Sequence, residues 1–189
     1  METTNIVLCG LGGQGILFMT KIFAQVALGK GLNIMGAETH GMAQRGGSVV
    51  SHLRIGQVES SLVRTGAAHF LLALDETEAY RNLPFLSKGA GMYVSTHAGD
   101  FPRQETIGFL EKNKIVCHAI PAATIAMELG APLSTNLALL GYFSAFGEGP
   151  MSKEELRGTI ANISPDQLRE SNLKVFDTGL KRGLEEKGE

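Results

Sequence analysis

The chain has 189 residues, 43% hydrophobic and 19% charged, with a formal net charge of −2. That balance is globular rather than disordered, is long enough to bury a substantial core, and predicts a single domain over residues 1–189. No basic footprint for nucleic acid is present, and no apolar run reaches the roughly 18 residues of a membrane span, so the sequence predicts a soluble, cytoplasmic chain that is not exported.

In chain order, Ile6-Val7-Leu8-Cys9 predicts a first strand that enters the glycine loop Gly10-Leu11-Gly12-Gly13-Gln14-Gly15. Residues 16–30 follow with apolar positions at Ile16, Met19, Ile22, Phe23, Val26 and Ala27, the 3.6-residue period of an amphipathic helix. Gly29-Lys30-Gly31 supplies a left-handed cap. A second strand begins at Asn33-Ile34-Met35, carries Glu38 at its end, and enters a second glycine loop through Thr39, His40, Gly41, Met42, Ala43, Gln44, Arg45, Gly46 and Gly47. Strand, helix and strand form one crossover unit, so both loops are expected side by side at the C-terminal edge of a parallel sheet, where open α/β sheets place ligands.

Residues 48–55 predict a strand, and Gly56-Gln57 a tight turn into residues 58–62, which together make an antiparallel hairpin added to the sheet. Residues 70–74 are a continuous apolar run, hence a central buried strand. Asp75 with Glu78 reads as a capping box that starts a helix, a more economical reading than an acid–base pair. Strands are expected over residues 92–95 and 115–120, with a short helix over 105–112 between them. The last third is helical. Residues 122–129 stop at Gly130 and Pro132, and residues 135–146 are apolar almost all round, which predicts burial on more than one side. Ser152 and Glu155 form a second capping box, and Ser164-Pro165 precedes a final amphipathic helix whose charged end, residues 181–189, is expected to fray. The fold class is therefore α/β: a three-layer α/β/α, Rossmann-like, parallel-rich sheet with an added hairpin.

The first loop satisfies G-x-G-x-x-G through Gly10, Gly12 and Gly15, and Glu38 lies 23 positions beyond Gly15. That is the form of a dinucleotide site, with an anion at the helix N-terminus and an acid for the ribose. The bland alternative is a loop that only packs its helix on the sheet or faces another protein. The second loop crowds Glu38, His40, Gln44 and Arg45 among Gly41, Gly46 and Gly47, a surface built to meet an anion or a polypeptide. The five histidines are scattered, and His52 and His118 read as hydrogen-bonded structural residues within strands. Cys9 and Cys117 read as buried thiols, too few to ligate an iron–sulfur cluster alone. No catalytic residue and no metal site is predicted.

Taken together, residues 10–15, the His40-Gly41-Met42-Ala43-Gln44-Arg45-Gly46-Gly47 run, Leu72-Ala73-Leu74-Asp75, residues 135–141 and residues 172–179 resemble the γ-type domain of 2-oxoacid:ferredoxin oxidoreductases. The similarity is greatest to the small subunits of the indolepyruvate enzymes and covers nearly the whole chain. It implies a subunit, inactive alone, of an enzyme that oxidatively decarboxylates an indolepyruvate- or pyruvate-type 2-oxoacid to an acyl-CoA and reduces ferredoxin. It further implies large partner subunits that hold thiamine diphosphate, magnesium and iron–sulfur clusters, with this chain as scaffold and one wall of the active assembly. On the residues themselves, cofactor contacts, to coenzyme A among others, are assigned to the two loops: Gly10, Gly12, Gly13, Gln14, Gly15, Glu38, His40, Gln44, Arg45, Gly46 and Gly47. The competing class is a free-standing Rossmann-like nucleotide-binding oxidoreductase or regulatory module.

Overall fold

The structure is a computed structural model that describes residues 2–41, 46–97 and 101–188. β1 (Thr4–Leu11) leads into α1 (Ile16–Gly29), and β2 (Ile34–His40) is followed directly by β3 (Ser48–Ile55). β4 (Ala68–Ala73), α2 (Glu76–Asn82), β5 (Leu86–Ser95), α3 (Gln104–Lys112) and β6 (Val116–Ile120) come next. The chain then turns helical through α4 (Ala122–Glu128), α5 (Thr135–Ala145), α6 (Lys153–Ile163) and α7 (Asp166–Lys187). The strands form one six-stranded sheet in the order β2-β3-β1-β4-β5-β6. β1, β4, β5 and β6 pair in parallel, whereas β3 runs antiparallel to both β1 and β2.

Alternation along the strands separates two cores. Ile6 and Leu8 of β1, with Leu72 and Tyr93, face the layer formed by α1 and α4–α7. Val7 and Cys9, with Leu71, Met92 and Val94, face the layer containing Ala79 of α2 and Leu110 of α3. Helices thus cover both faces of a parallel-rich sheet, as the sequence predicts.

The hairpin is where the expectation fails. Residues 58–62 form no strand, and Ser48–Ile55 pairs instead with Ile34–His40, so the hairpin turn is the second glycine loop itself. β3 also inserts between β1 and β2, so the first crossover skips one strand position. The alternation of β3 explains the choice. Val49, Leu53 and Ile55 enter the α1-side core, while His52 turns to the other face beneath Phe85, at a ring separation of 4.9 Å. A strand with both faces covered belongs inside a sheet, and β2, most of whose residues are exposed, takes the edge.

The helix caps follow the sequence closely. Gly31 adopts φ +68 after α1, and Ser152 and Glu155 complete their reciprocal capping box. At α2 only half the box forms: Asp75 accepts the Glu78 amide at 3.0 Å, but the Glu78 carboxylate turns away from the cap. The expected fraying of the C-terminus is also overturned, because α7 continues to Lys187. Glu186 accepts the Tyr142 hydroxyl and pairs with His118 Nδ1 at 3.0 Å, which anchors the last turn to α5 and β6. His118 also stacks on Tyr93 at 5.0 Å, and His52 Nδ1 accepts the Val63 amide, so both strand histidines are hydrogen-bonded parts of the framework.

α5 is buried within its own chain. It lies between the sheet and α7, and the two helices approach so closely that glycine is required at the crossing. A Cβ on Gly141 would sit 2.0 Å from the Phe176 carbonyl oxygen, and one on Gly179 would sit 2.0 Å from that of Ala138. Gly141→Ala or Gly179→Ala is therefore expected to force the helices apart and cost about 2–3 kcal/mol, lowering Tm by roughly 5–10 °C. Gly158→Ala, in an exposed turn of α6 with nothing within 4 Å of the new methyl, should be neutral or stabilise by up to ~1 kcal/mol. Thermal melts of the three variants decide the matter; equal effects would refute the packing argument.

Candidate functional site

β1 and β2 point the same way on either side of β3, so their C-terminal ends meet at one edge of the sheet. There the two glycine loops interlock. The Gly12 amide donates to Gly47 O at 2.8 Å, and the Gly41 amide donates to Ser48 O at 2.7 Å. Gln44 and Arg45 lie outside the described residues, as do Met42 and Ala43.

The first loop spends much of its hydrogen-bonding capacity inward. Gln14 Oε1 accepts the Leu11 amide at 2.6 Å, Gln14 Nε2 donates to Leu74 O at 3.2 Å, and the Gln14 amide donates to Leu11 O at 3.1 Å. Gly15 sits at φ +85, and its carbonyl accepts Asn136 Nδ2 at 3.1 Å, which locks the start of α1 to the start of α5. Neighbouring strands β1 and β4 send their helices to opposite faces, α1 to one and α2 to the other. The crevice between their ends is where a doubly wound sheet admits a dinucleotide. Here the Gln14 carboxamide bridges that crevice.

Glu38 does not reach it either. One strand separates β2 from β1, a distance of about 10 Å, and Glu38 Oε2 lies 3.6 Å from Nε2 of His40, two residues along the same face of β2. This imidazole–carboxylate pair is solvent-facing and overlooks a cleft of about 310 Å³. Gly12 and Gly13 line the cleft, with Ile16 and Leu17 of α1 on one side and His40 and Val49 of the hairpin on the other. Leu17 is 49% exposed, a large apolar side chain left uncovered at the mouth. Among the described lining residues, His40 is the only one with an ionisable side chain, and no hydroxyl or thiol accompanies it.

Neither cysteine is suited to metal ligation. Cys9 is fully buried, and its thiol is pushed well up by burial, with the nearby Glu78 and Asp75 adding to the effect. Burial raises the Cys117 thiol to about 12. β4 and β5 separate their strands, a spacing of about 14 Å. Thiols three strand positions apart cannot both reach one cluster.

The feature that sequence reading missed is Glu78. It is 1% exposed, with Oε2 accepting the Ser48 hydroxyl at 2.6 Å and Oε1 accepting Arg81 Nη1 at 2.6 Å. Its capping-box spacing disguised it; a glutamate followed by an arginine three residues on was the available signal for a pair.

The model of the pyruvate ferredoxin/flavodoxin oxidoreductase family matches residues 5–182. The chain is 35% identical to the indolepyruvate oxidoreductase subunit IorB of Archaeoglobus fulgidus, over 95% of each chain. A keto/oxoacid ferredoxin oxidoreductase γ subunit from Geobacter sulfurreducens has the same fold, with a TM-score of 0.73 at 23% identity over 96% of this chain and 99% of that one. The fold also recurs in a 2-oxoglutarate:ferredoxin oxidoreductase from Magnetococcus marinus, with a TM-score of 0.77 at 20% identity, over 97% of this chain but 31% of that one.

The bonds of Gln14 generate a direct test of its part in the site. Gln14→Ala removes two hydrogen bonds that tie β1 to β4, and should cost about 1–3 kcal/mol in urea unfolding of the chain. A Gln14 held free for a ligand would instead leave stability within ~0.5 kcal/mol of the parent.

Proposed function

The chain belongs to the pyruvate ferredoxin/flavodoxin oxidoreductase family, and from that premise we propose that it is the small, non-cofactor-carrying subunit of a cytoplasmic indolepyruvate- or pyruvate-type 2-oxoacid:ferredoxin oxidoreductase. In this reading, residues 1–189 act as one γ-type domain. Its partners are the large subunits, and ferredoxin is reached through the assembled complex.

The observation that carries the proposal is the edge where the loops interlock. It is fixed from within by Gln14, Asn136 and the Gly12–Gly47 hydrogen bond, yet it turns outward an exposed leucine, a His40–Glu38 pair and a shallow apolar cleft. Rigid backbone with outward-facing polar anchors is the make-up of a docking wall. A self-sufficient active site would need a nucleophile with its base, and the described cleft residues offer the His40 imidazole with no hydroxyl or thiol beside it.

The residues present divide the cofactors of such a complex. The thiols of Cys9 and Cys117 do not fit a cluster, so iron and sulfur belong to the partner. The cleft fits a narrow, largely apolar arm such as the pantetheine portion of coenzyme A, with Leu17 and Val49 along it and His40 at the mouth. Gln44 and Arg45 join this proposal on the sequence pattern alone. When bound in the complex, thiamine diphosphate with magnesium supplies decarboxylation, the clusters carry electrons, and coenzyme A receives the acyl group. What this chain contributes is position: it holds its two loops as one surface and excludes water from whatever lies against them.

A free-standing dinucleotide-binding module is the weaker reading, because Gln14 spans the crevice and Glu38 faces His40 one strand away.

The test is copurification. Chain produced with its large subunit should elute as a complex containing iron and thiamine diphosphate, and that complex should oxidise indolepyruvate or pyruvate in a coenzyme A-dependent way. The chain produced alone should be colourless, contain neither cofactor, decarboxylate nothing, and give no calorimetric signal with NAD or NADP. Stoichiometric iron in the lone chain, or dinucleotide binding at micromolar concentration, overturns the proposal.

A further inference from the structure

We propose that Glu78 is a positioning residue for the edge where the two glycine loops meet, acting through Ser48 from the opposite face of the sheet. The functional importance given to that edge rests on the reading under Proposed function; the mechanical role of Glu78 does not.

Ser48 is the junction of three strands. Its backbone is paired with Leu11, the last residue of β1, and its carbonyl oxygen accepts the amide of Gly41, immediately beyond β2. The residue before it, Gly47, accepts the Gly12 amide, and the residue after it, Val49, lines the cleft opposite α1. Successive side chains on a strand point to opposite faces. With Val49 directed towards α1 and the cleft, the Ser48 hydroxyl points away, towards α2. There it donates to Glu78 Oε2 at 2.6 Å.

Glu78 is held firmly enough to act as an anchor. Its amide is capped by Asp75, its carbonyl oxygen accepts Asn82 Nδ2 at 2.8 Å, and its other carboxylate oxygen is clamped by Arg81. The side chain is 1% exposed, whereas that of Arg81 is 63% exposed. Helix N-terminal position alone does not require this arrangement, since Asp75 already caps α2 and an exposed Glu78 would serve the helix equally well. A buried carboxylate aimed at the Ser48 hydroxyl has a different use. It fixes the first residue of β3, and with it the hydrogen bonds from Gly41 and Gly12.

Ser48→Ala removes the hydroxyl with little change in volume, and Glu78→Gln keeps an oxygen that can still accept it. Hydrogen exchange of the full chain, followed at the Gly12 and Gly41 amides, reads the anchor directly. Ser48→Ala should raise exchange at both amides roughly tenfold while amides of α5 and α7 keep their protection. Glu78→Gln should stay closer to the parent than Ser48→Ala does. In complex with the large subunit, Ser48→Ala should raise the KM for coenzyme A or weaken assembly while kcat is retained.

If Gly12 and Gly41 keep their protection in Ser48→Ala, or if exchange rises uniformly across the chain, Glu78 supports only α2 and the inference is overturned. If the two amides open but assembly and KM do not change, the anchor stands and the reading of the edge as a docking wall falls.

Discussion

β3 is hydrogen-bonded along its whole length to β1 on one side and to β2 on the other, running against both. This inserted strand makes the two glycine loops neighbours. Had β2 paired directly with β1, the loop after β2 would have led away towards another crossover, and Glu38 would have stood beside the first loop as a ribose-binding acid does. With β3 between them, Gly47, immediately before β3, lies beside the first loop, close enough to accept the Gly12 amide. The cost is an exposed edge strand. β2 leaves Met35, Glu38, Thr39 and His40 uncovered, an arrangement that isolated sheets avoid and that an assembled one tolerates.

The far side of the molecule is arranged to leave that edge alone. α5 has no polar stripe because the sheet, α4 and α7 surround it, and the glycines at its crossing with α7 draw the helices to backbone contact. The last turn of α7, charged in sequence, is drawn down by Glu186 onto Tyr142 and His118. Burial pushes both the Tyr93 and Tyr142 phenols up, reinforced by the hydrogen bond that Tyr93 donates to Glu148 and the one that Tyr142 donates to Glu186. The helical layer therefore closes on itself. Among the described residues, no buried side-chain polar atom is left without a hydrogen-bond partner.

Local signals were legible in the sequence and long-range ones were not. The period of α1, the Gly31 cap, the Ser152–Glu155 box and the buried strand at residues 70–74 each depend on neighbours a few positions away, and each stands as read. The hairpin partner of β3 depends on which strand can cover an exposed hydrogen-bonding edge, a choice made by the whole sheet rather than by the Gly56-Gln57 turn. The charged tail failed for the same reason: the partners of Glu186 lie 44 and 68 residues away. At the site, Gln14 was seen as part of a glycine motif, but its bond to Leu74 crosses 60 residues and could not be inferred from spacing. Motif and fold agreed in form, and the Gln14 side chain ties the motif to the residue that follows β4.

Glu78 and Arg81 extend that argument to electrostatics. A buried ion pair is weak support for stability, since removing a carboxylate from water costs several kcal/mol and the pairing returns about as much. One guanidinium left largely in solvent lowers the gain further. An apolar residue at position 78 would pack against the Cys9 and Ala79 side of the sheet with less expense, but it could not accept the Ser48 hydroxyl. A carboxylate kept here thus exchanges stability for geometry, and the geometry it fixes is the meeting point of the two loops. The same exchange is visible in Gln14, an amide placed in a crevice that apolar side chains could have filled. Both polar side chains hold backbone where the two glycine loops meet, which is where a subunit must be rigid before its partner arrives.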